Sequence, residues 1–148
     1  MKLTSILLLI SFYLFSCKND ETQANLIAFG KCSETILTDS LSITQQLIGT
    51  WKWTDQFCPC CPNSKPTKAD KGVTATFDSN GSYSVTEESA TIALGEWEVT
   101  KTTNGFFVSF NGQNVSGYLE GYITICGDQL AADQTPVDGC KNLFVKID

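Results

Sequence analysis

Between residues 49 and 148 apolar side chains recur on alternate positions in short runs, and most runs end at a turn signal. Val73, Ala75 and Phe77 alternate with Thr74, Thr76 and Asp78, the period of a strand buried on one face. Ser79-Asn80-Gly81 follows. Asn-Gly between alternating runs predicts a hairpin, because both residues tolerate positive φ; Tyr83 and Val85 supply its second arm. The same reading predicts strands over 50–57, 91–94, 96–100, 106–110, 115–119, 122–126, 130–132 and 143–147. Gly95 breaks the second of these from the third. Asn104-Gly105, Asn111-Gly112 and Asp138-Gly139 read as turns, and Leu143, Val145 and Ile147 share one strand face. Over 40–48 the pattern is helical, with Ser40 or Ser42 as cap, Leu41, Leu47 and Ile48 on an apolar side and Gly49 as the stop. Short strands in regular succession predict an all-β antiparallel meander. Closure into an up-and-down barrel of about eight strands removes exposed edges, and a β-sandwich is the alternative.

The first forty residues follow another pattern. Met1-Lys2 gives a charged start, residues 6–15 are almost wholly apolar, and Ser16-Cys17 precedes the polar run Lys18-Asn19-Asp20-Glu21. The apolar stretch is shorter than the ~20 residues of a spanning helix and suits a secretory signal. A small residue followed by Cys at the end of such a run resembles the bacterial lipobox. The resemblance implies cleavage before Cys17, a diacylglyceryl thioether on its sulfur and acylation of its new amino group. Several chains of the palmitate kind anchor stably where one does not. Cys17 to Glu21 is similar to the acidic export tag of Bacteroidetes surface lipoproteins. The implied organisation is a signal peptide (1–16), a lipidated flexible tether (17–40) and a barrel domain (41–148). The implied address is the bacterial outer membrane, on its periplasmic or its surface side. Leu26, Ile27 and Phe29 stand out from the tether as apolar residues suited to dock on the domain.

Within the domain, four motifs occur in order: Leu47-Ile48-Gly49-Thr50-Trp51, the hairpin from Phe77 through Asn80-Gly81 to Tyr83, Gly95-Glu96-Trp97, and Asp138-Gly139 before the last strand. Together they resemble lipocalins, and most closely the small lipocalin-like domains of Bacteroidetes lipoproteins. The resemblance implies an apolar barrel interior with Trp51 closing its bottom. Lipocalins commonly stack an Arg of the last strand on that Trp. This chain has no Arg, and Lys146 is the residue available.

Composition narrows the chemistry. Ten cationic residues, all lysine, face sixteen carboxylates, for a net charge of −6. That balance argues against nucleic acid, whose phosphates require Lys and Arg, and against polybasic attraction to anionic lipid. The chain has no histidine, which removes Ser-His and Cys-His nucleophile pairs and His metal ligands. Glu96 and Glu98 share a strand face opposite Trp97 and Val99, as an outward polar pair does. No catalytic residue, cofactor or metal site is predicted.

Seven cysteines minus Cys17 leave Cys32, Cys58, Cys60, Cys61, Cys126 and Cys140. An even number in an exported chain predicts disulfides. One solution sends Cys58, Cys60 and Cys61 to Cys32, Cys126 and Cys140; another pairs Cys126 with Cys140 across a hairpin. Cys58 and Cys61 also form a Cys-x-x-Cys, so a thiol-redox or Cys-based metal protein is the alternative function. The aromatic residues suggest the main one. Trp51, Trp53, Phe77, Tyr83, Trp97, Phe110 and Tyr122 are the predicted interior residues, lining a cavity for a small apolar ligand or filling a solid core. The sequence leaves oligomeric state open.

Overall fold

The computed structural model describes residues 39–59, 65–113 and 117–148. Among these residues are one α-helix, α1 (Ser40–Leu47), a 3-10 turn at Thr135–Val137, and nine strands: β1 (Gly49–Phe57), β2 (Thr67–Lys68), β3 (Val73–Phe77), β4 (Ser82–Glu87), β5 (Ala90–Thr102), β6 (Gly105–Gln113), β7 (Gly121–Cys126), β8 (Gln129–Asp133) and β9 (Lys141–Lys146). All pairings are antiparallel. Strands β3 to β9 pair in sequence order, and β1 joins both β3 and β9. The result is a closed eight-stranded up-and-down barrel, with β2 as a short addition along the upper part of β1. The β-sandwich alternative is thereby set aside.

The Asn80-Gly81 hairpin forms as predicted, with Gly81 at φ 86° and Phe77 opposite Tyr83. The predicted break at Gly95 and turn at Asn111-Gly112 do not occur. β5 runs unbroken through Gly95, and β6 runs through Asn111 and Gly112. These glycines face each other across the ladder. A Cβ on Gly95 would lie 2.2 Å from the Asn111 carbonyl oxygen, so glycine there permits close backbone approach rather than a turn. Of the strand predicted over 115–119, residues 117–119 form a turn and the others lie outside the described residues. The helix is capped one residue earlier than predicted. Asp39 accepts the Ser42 amide at 2.8 Å and the Ser42 hydroxyl at 2.9 Å. These bonds, the backbone amide first, hold the Asp39 carboxyl below its ordinary range.

Alternation puts one set of side chains inside. Trp51 and Trp53 from β1, Val73, Ala75 and Phe77 from β3, Tyr83 and Val85 from β4, and Ile123 and Ile125 from β7 are all buried in one core. On β9 the inward positions are Asn142, Phe144 and Lys146, so Leu143, Val145 and Ile147 share the outer face. A bulge in β1 between Trp53 and Asp55 switches the alternation: Trp53 lies opposite inward Phe144, and Asp55 opposite outward Leu143.

Candidate functional site

The barrel interior is closed at its lower end by α1 and the ring of Trp51. The Trp51 indole donates to the Leu47 carbonyl at 2.7 Å. Lys146 Nζ sits 5.2 Å from the center of the Trp51 ring. It donates to the carbonyls of Ile48 at 2.6 Å and Gln46 at 3.2 Å. A helix C-terminus leaves carbonyls without intrahelical partners, and a cation there also meets the negative end of the dipole. Lys146 therefore takes the place foreseen beside Trp51 and ties the helix to the last strand.

At the upper end, polar groups and a loop close over the core. Asn142 is fully buried; its Oδ1 accepts from Gln56 Nε2 at 3.0 Å and its Nδ2 donates to the Gly117 carbonyl at 3.3 Å. Gln134 donates to the same carbonyl. The loop held in this way packs Tyr118 against Trp53, with ring centers 4.7 Å apart, and buries Leu119. Neither Asn142 nor Tyr118 belongs to the predicted interior set. Their role depends on long-range placement, for which a single sequence carries no local signal.

Between these ends the predicted aromatics meet. Phe77 contacts Trp97 edge-on at 5.4 Å and Phe110 at 6.2 Å. Phe110 contacts Tyr83 at 4.8 Å. Such pairs are each worth ~0.5–1.5 kcal/mol beyond area burial. Trp97 Nε1 donates to the Ser82 carbonyl at 2.9 Å, and Trp53 Nε1 to the Asp55 carbonyl at 3.0 Å, which satisfies both indoles. Tyr122 departs from the set. β7 begins at Gly121 with its odd-numbered residues buried, so Tyr122 lies on the outer face against Phe107 at 5.6 Å.

Two buried polar groups stand apart. Tyr83 is 2 % exposed, and its hydroxyl has no hydrogen-bond partner among the described residues. Burial pushes its phenol up from the ordinary value. Asp55, fully buried, has no hydrogen bond to its carboxylate oxygens among the described residues and pairs with Lys68 Nζ at 3.3 Å. An open groove of about 500 Å³ is lined by Asn80, Gly81, Glu96, Trp97, Glu98, Ser109, Phe110 and Asn111. Trp97 and Phe110 belong both to this groove and to the interior aromatic cluster, so the cluster reaches the surface there.

The cysteine predictions are resolved in part. Cys58 and Cys140 form a disulfide with Cα atoms 4.2 Å apart, which excludes the Cys126–Cys140 alternative. Cys126 is disulfide-bonded as well. Cys17, Cys32, Cys60 and Cys61 lie outside the described residues. Among the described residues no three Cys, Asp or Glu side chains converge as a metal site. None of the described helices is long and apolar enough to cross a membrane.

No family model matches the chain, and no curated protein matches it. Among solved structures it is similar to a DUF4847 family protein from Bacteroides vulgatus ATCC 8482, at 16 % identity and a TM-score of 0.48. The match covers 70 % of this chain and 96 % of that one.

Proposed function

We propose that this protein is a noncatalytic, lipid-anchored envelope protein whose barrel binds a small, mainly apolar ligand. The carrying observation is the unpaired Tyr83 hydroxyl, buried behind an aromatic cluster that reaches the surface at Trp97 and Phe110. An unpaired buried hydroxyl costs about 1–3 kcal/mol. A ligand with one hydrogen-bonding group recovers that cost while its apolar body packs on the rings. This is the usual composition of a small-molecule site, apolar walls with few polar contacts. The anchor rests on the order of charge, apolar run, Ser16 and Cys17 in the sequence. The alternative of a thiol-redox or Cys-based metal protein has no support among the described residues, where Cys58 is already bridged.

Titration with N-phenyl-1-naphthylamine, an apolar amine that fluoresces when desolvated, tests the reading. Saturable binding is expected, weakened about tenfold in Tyr83→Phe, the loss of one hydrogen bond. Failure to saturate, together with native mass spectrometry showing no co-purified small molecule, would discard ligand binding. Intact mass of the membrane-fraction protein tests the anchor separately: an unmodified Cys17 in the mature chain refutes it.

A further inference from the structure

Glu96 and Glu98 stand next to each other on the outer face of β5, and two residues of strand set their Cα atoms about 7 Å apart. Across the ladder Asn111 lies opposite Glu96 and Ser109 opposite Glu98. Trp97 and Phe110 form the pair between them and line the same groove. The Asn80-Gly81 turn makes the far wall, held there by the Trp97 amide, which donates to the Gly81 carbonyl at 2.9 Å. The charge of this groove has one sign. Lys71 pairs with Glu87, Lys141 with Asp133 and Lys68 with Asp55, but among the described residues no lysine forms an ion pair with Glu96 or Glu98. The Trp97 indole N–H, the strongest donor on the floor, is already given to the Ser82 carbonyl.

We propose that this groove binds a small organic amine, its ammonium group seated between Glu96 and Glu98 and its apolar body laid against Trp97 and Phe110. The assignment rests on the proposed ligand-binding function and names the class of ligand. An ammonium has three donors and no acceptor. Two carboxylates one strand repeat apart can take two of those donors in charge-assisted bonds, and the side-chain oxygens of Ser109 and Asn111 are neutral acceptors within the same groove for the third. The aromatic floor suits a cation as well, because the ring quadrupole attracts positive charge. A carboxylate or phosphate ligand would instead meet two like charges and no lysine, so the groove rejects a fatty acid. A neutral apolar molecule could pack on the rings but would leave both carboxylates unused. The groove volume, about 500 Å³, lies within the range of small-molecule sites and holds a body of one or two rings.

Two probes that differ only in charge test this on the full mature chain. Dansylcadaverine carries an ammonium at pH 7, and its N-acetyl derivative has the same apolar body without the charge. By fluorescence titration at low salt the amine should bind about fivefold more tightly, the effect of ion pairs in an open groove. The margin should shrink as salt is raised. Glu96→Gln with Glu98→Gln should bring the two affinities together. Glu120→Gln with Asp128→Asn removes the same charge from exposed positions elsewhere and should keep the margin. Equal binding of the two dansyl probes by the unmutated chain, with N-phenyl-1-naphthylamine still saturating, overturns the amine assignment and leaves apolar-ligand binding standing. A margin that survives the loss of Glu96 and Glu98, or that falls equally in both double variants, traces the preference to charge outside this groove and overturns it too. Saturation by none of the three probes discards both readings.

Discussion

The two outer walls of this barrel differ more than its two ends do. On β5 and β6 the outward residues Glu96, Glu98, Thr100, Ser109 and Asn111 are exposed, and even Leu94 is 61 % exposed. On β1, β8 and β9 the outward residues include Asp55, Ala131 and Leu143, all buried. Both walls are built from the same alternation and the same ladder. The difference lies in what covers them, so on the β1, β8 and β9 wall burial alone does not report which face of a strand points inward. It also divides the energetics. Polar exposed positions carry little stability, whereas a covered wall adds a second layer of packing to that of the interior.

That contrast can be tested by breaking each wall in turn. The largest effect is expected at the staple beside the covered wall. Cys58→Ser with Cys140→Ser opens a link across 82 residues of sequence and should cost about 2–5 kcal/mol, read from the urea midpoint. Next comes Leu143→Ala, expected to cost about 2–4 kcal/mol, against less than about 0.5 kcal/mol for Leu94→Ala on the exposed wall. Equal costs at the two leucines would erase the distinction. Lys68→Met leaves the buried Asp55 carboxylate without its cation and should cost about 1–3 kcal/mol. Lys71→Met, in the more exposed pair with Glu87 at 2.8 Å, should move the urea midpoint less than Lys68→Met does. The smallest effect is a pH dependence at Asp133. Burial pushes its carboxyl up, but bonds from Thr135 and the paired Lys141 outweigh this and set it below the ordinary 3.8. A depressed carboxyl lends stability that is present above its unfolded value and is lost as pH falls through the folded one. Asp133→Asn should therefore lower the melting temperature at pH 7, where that stability is fully present, and flatten its decline below about pH 4, where wild type and variant converge.

Much of this architecture is legible in the sequence where a local rule decides it. The hairpin at Asn80-Gly81 needs only positive φ at one glycine, and the run from Val73 to Phe77 needs only its period. Trp51 and Lys146 could be paired from a family pattern. The errors share a cause. Gly95 and Gly112 read as punctuation because glycine favors turns; here they are opposite partners whose missing side chains let two strands approach, which only the pairing reveals. Tyr122 reads as an interior residue because it is aromatic, but inside and outside depend on where β7 starts, and a shift of one residue inverts every position. The same parity problem hides Asp55, whose direction is set by the bulge after Trp53. Asp39 caps the helix through a carboxylate one residue before the serines that the local pattern favored.

The union of β1 with β9 has a consequence in time. Trp51 pairs with Lys146, the Thr50 amide donates to the Asp148 carboxylate at 2.7 Å, and the Ile147 amide donates to the Thr50 carbonyl. A chain emerging N-terminus first, from a ribosome or through a translocation pore, can zip β3 to β8 as each hairpin appears. It cannot complete the ring, or seat the helix under Trp51, until β9 has emerged. The first strand waits for the last, and contacts this distant in sequence are the slow ones to form. Until then β1 and β8 remain open edges, so the newborn protein passes through its most association-prone state just before it closes.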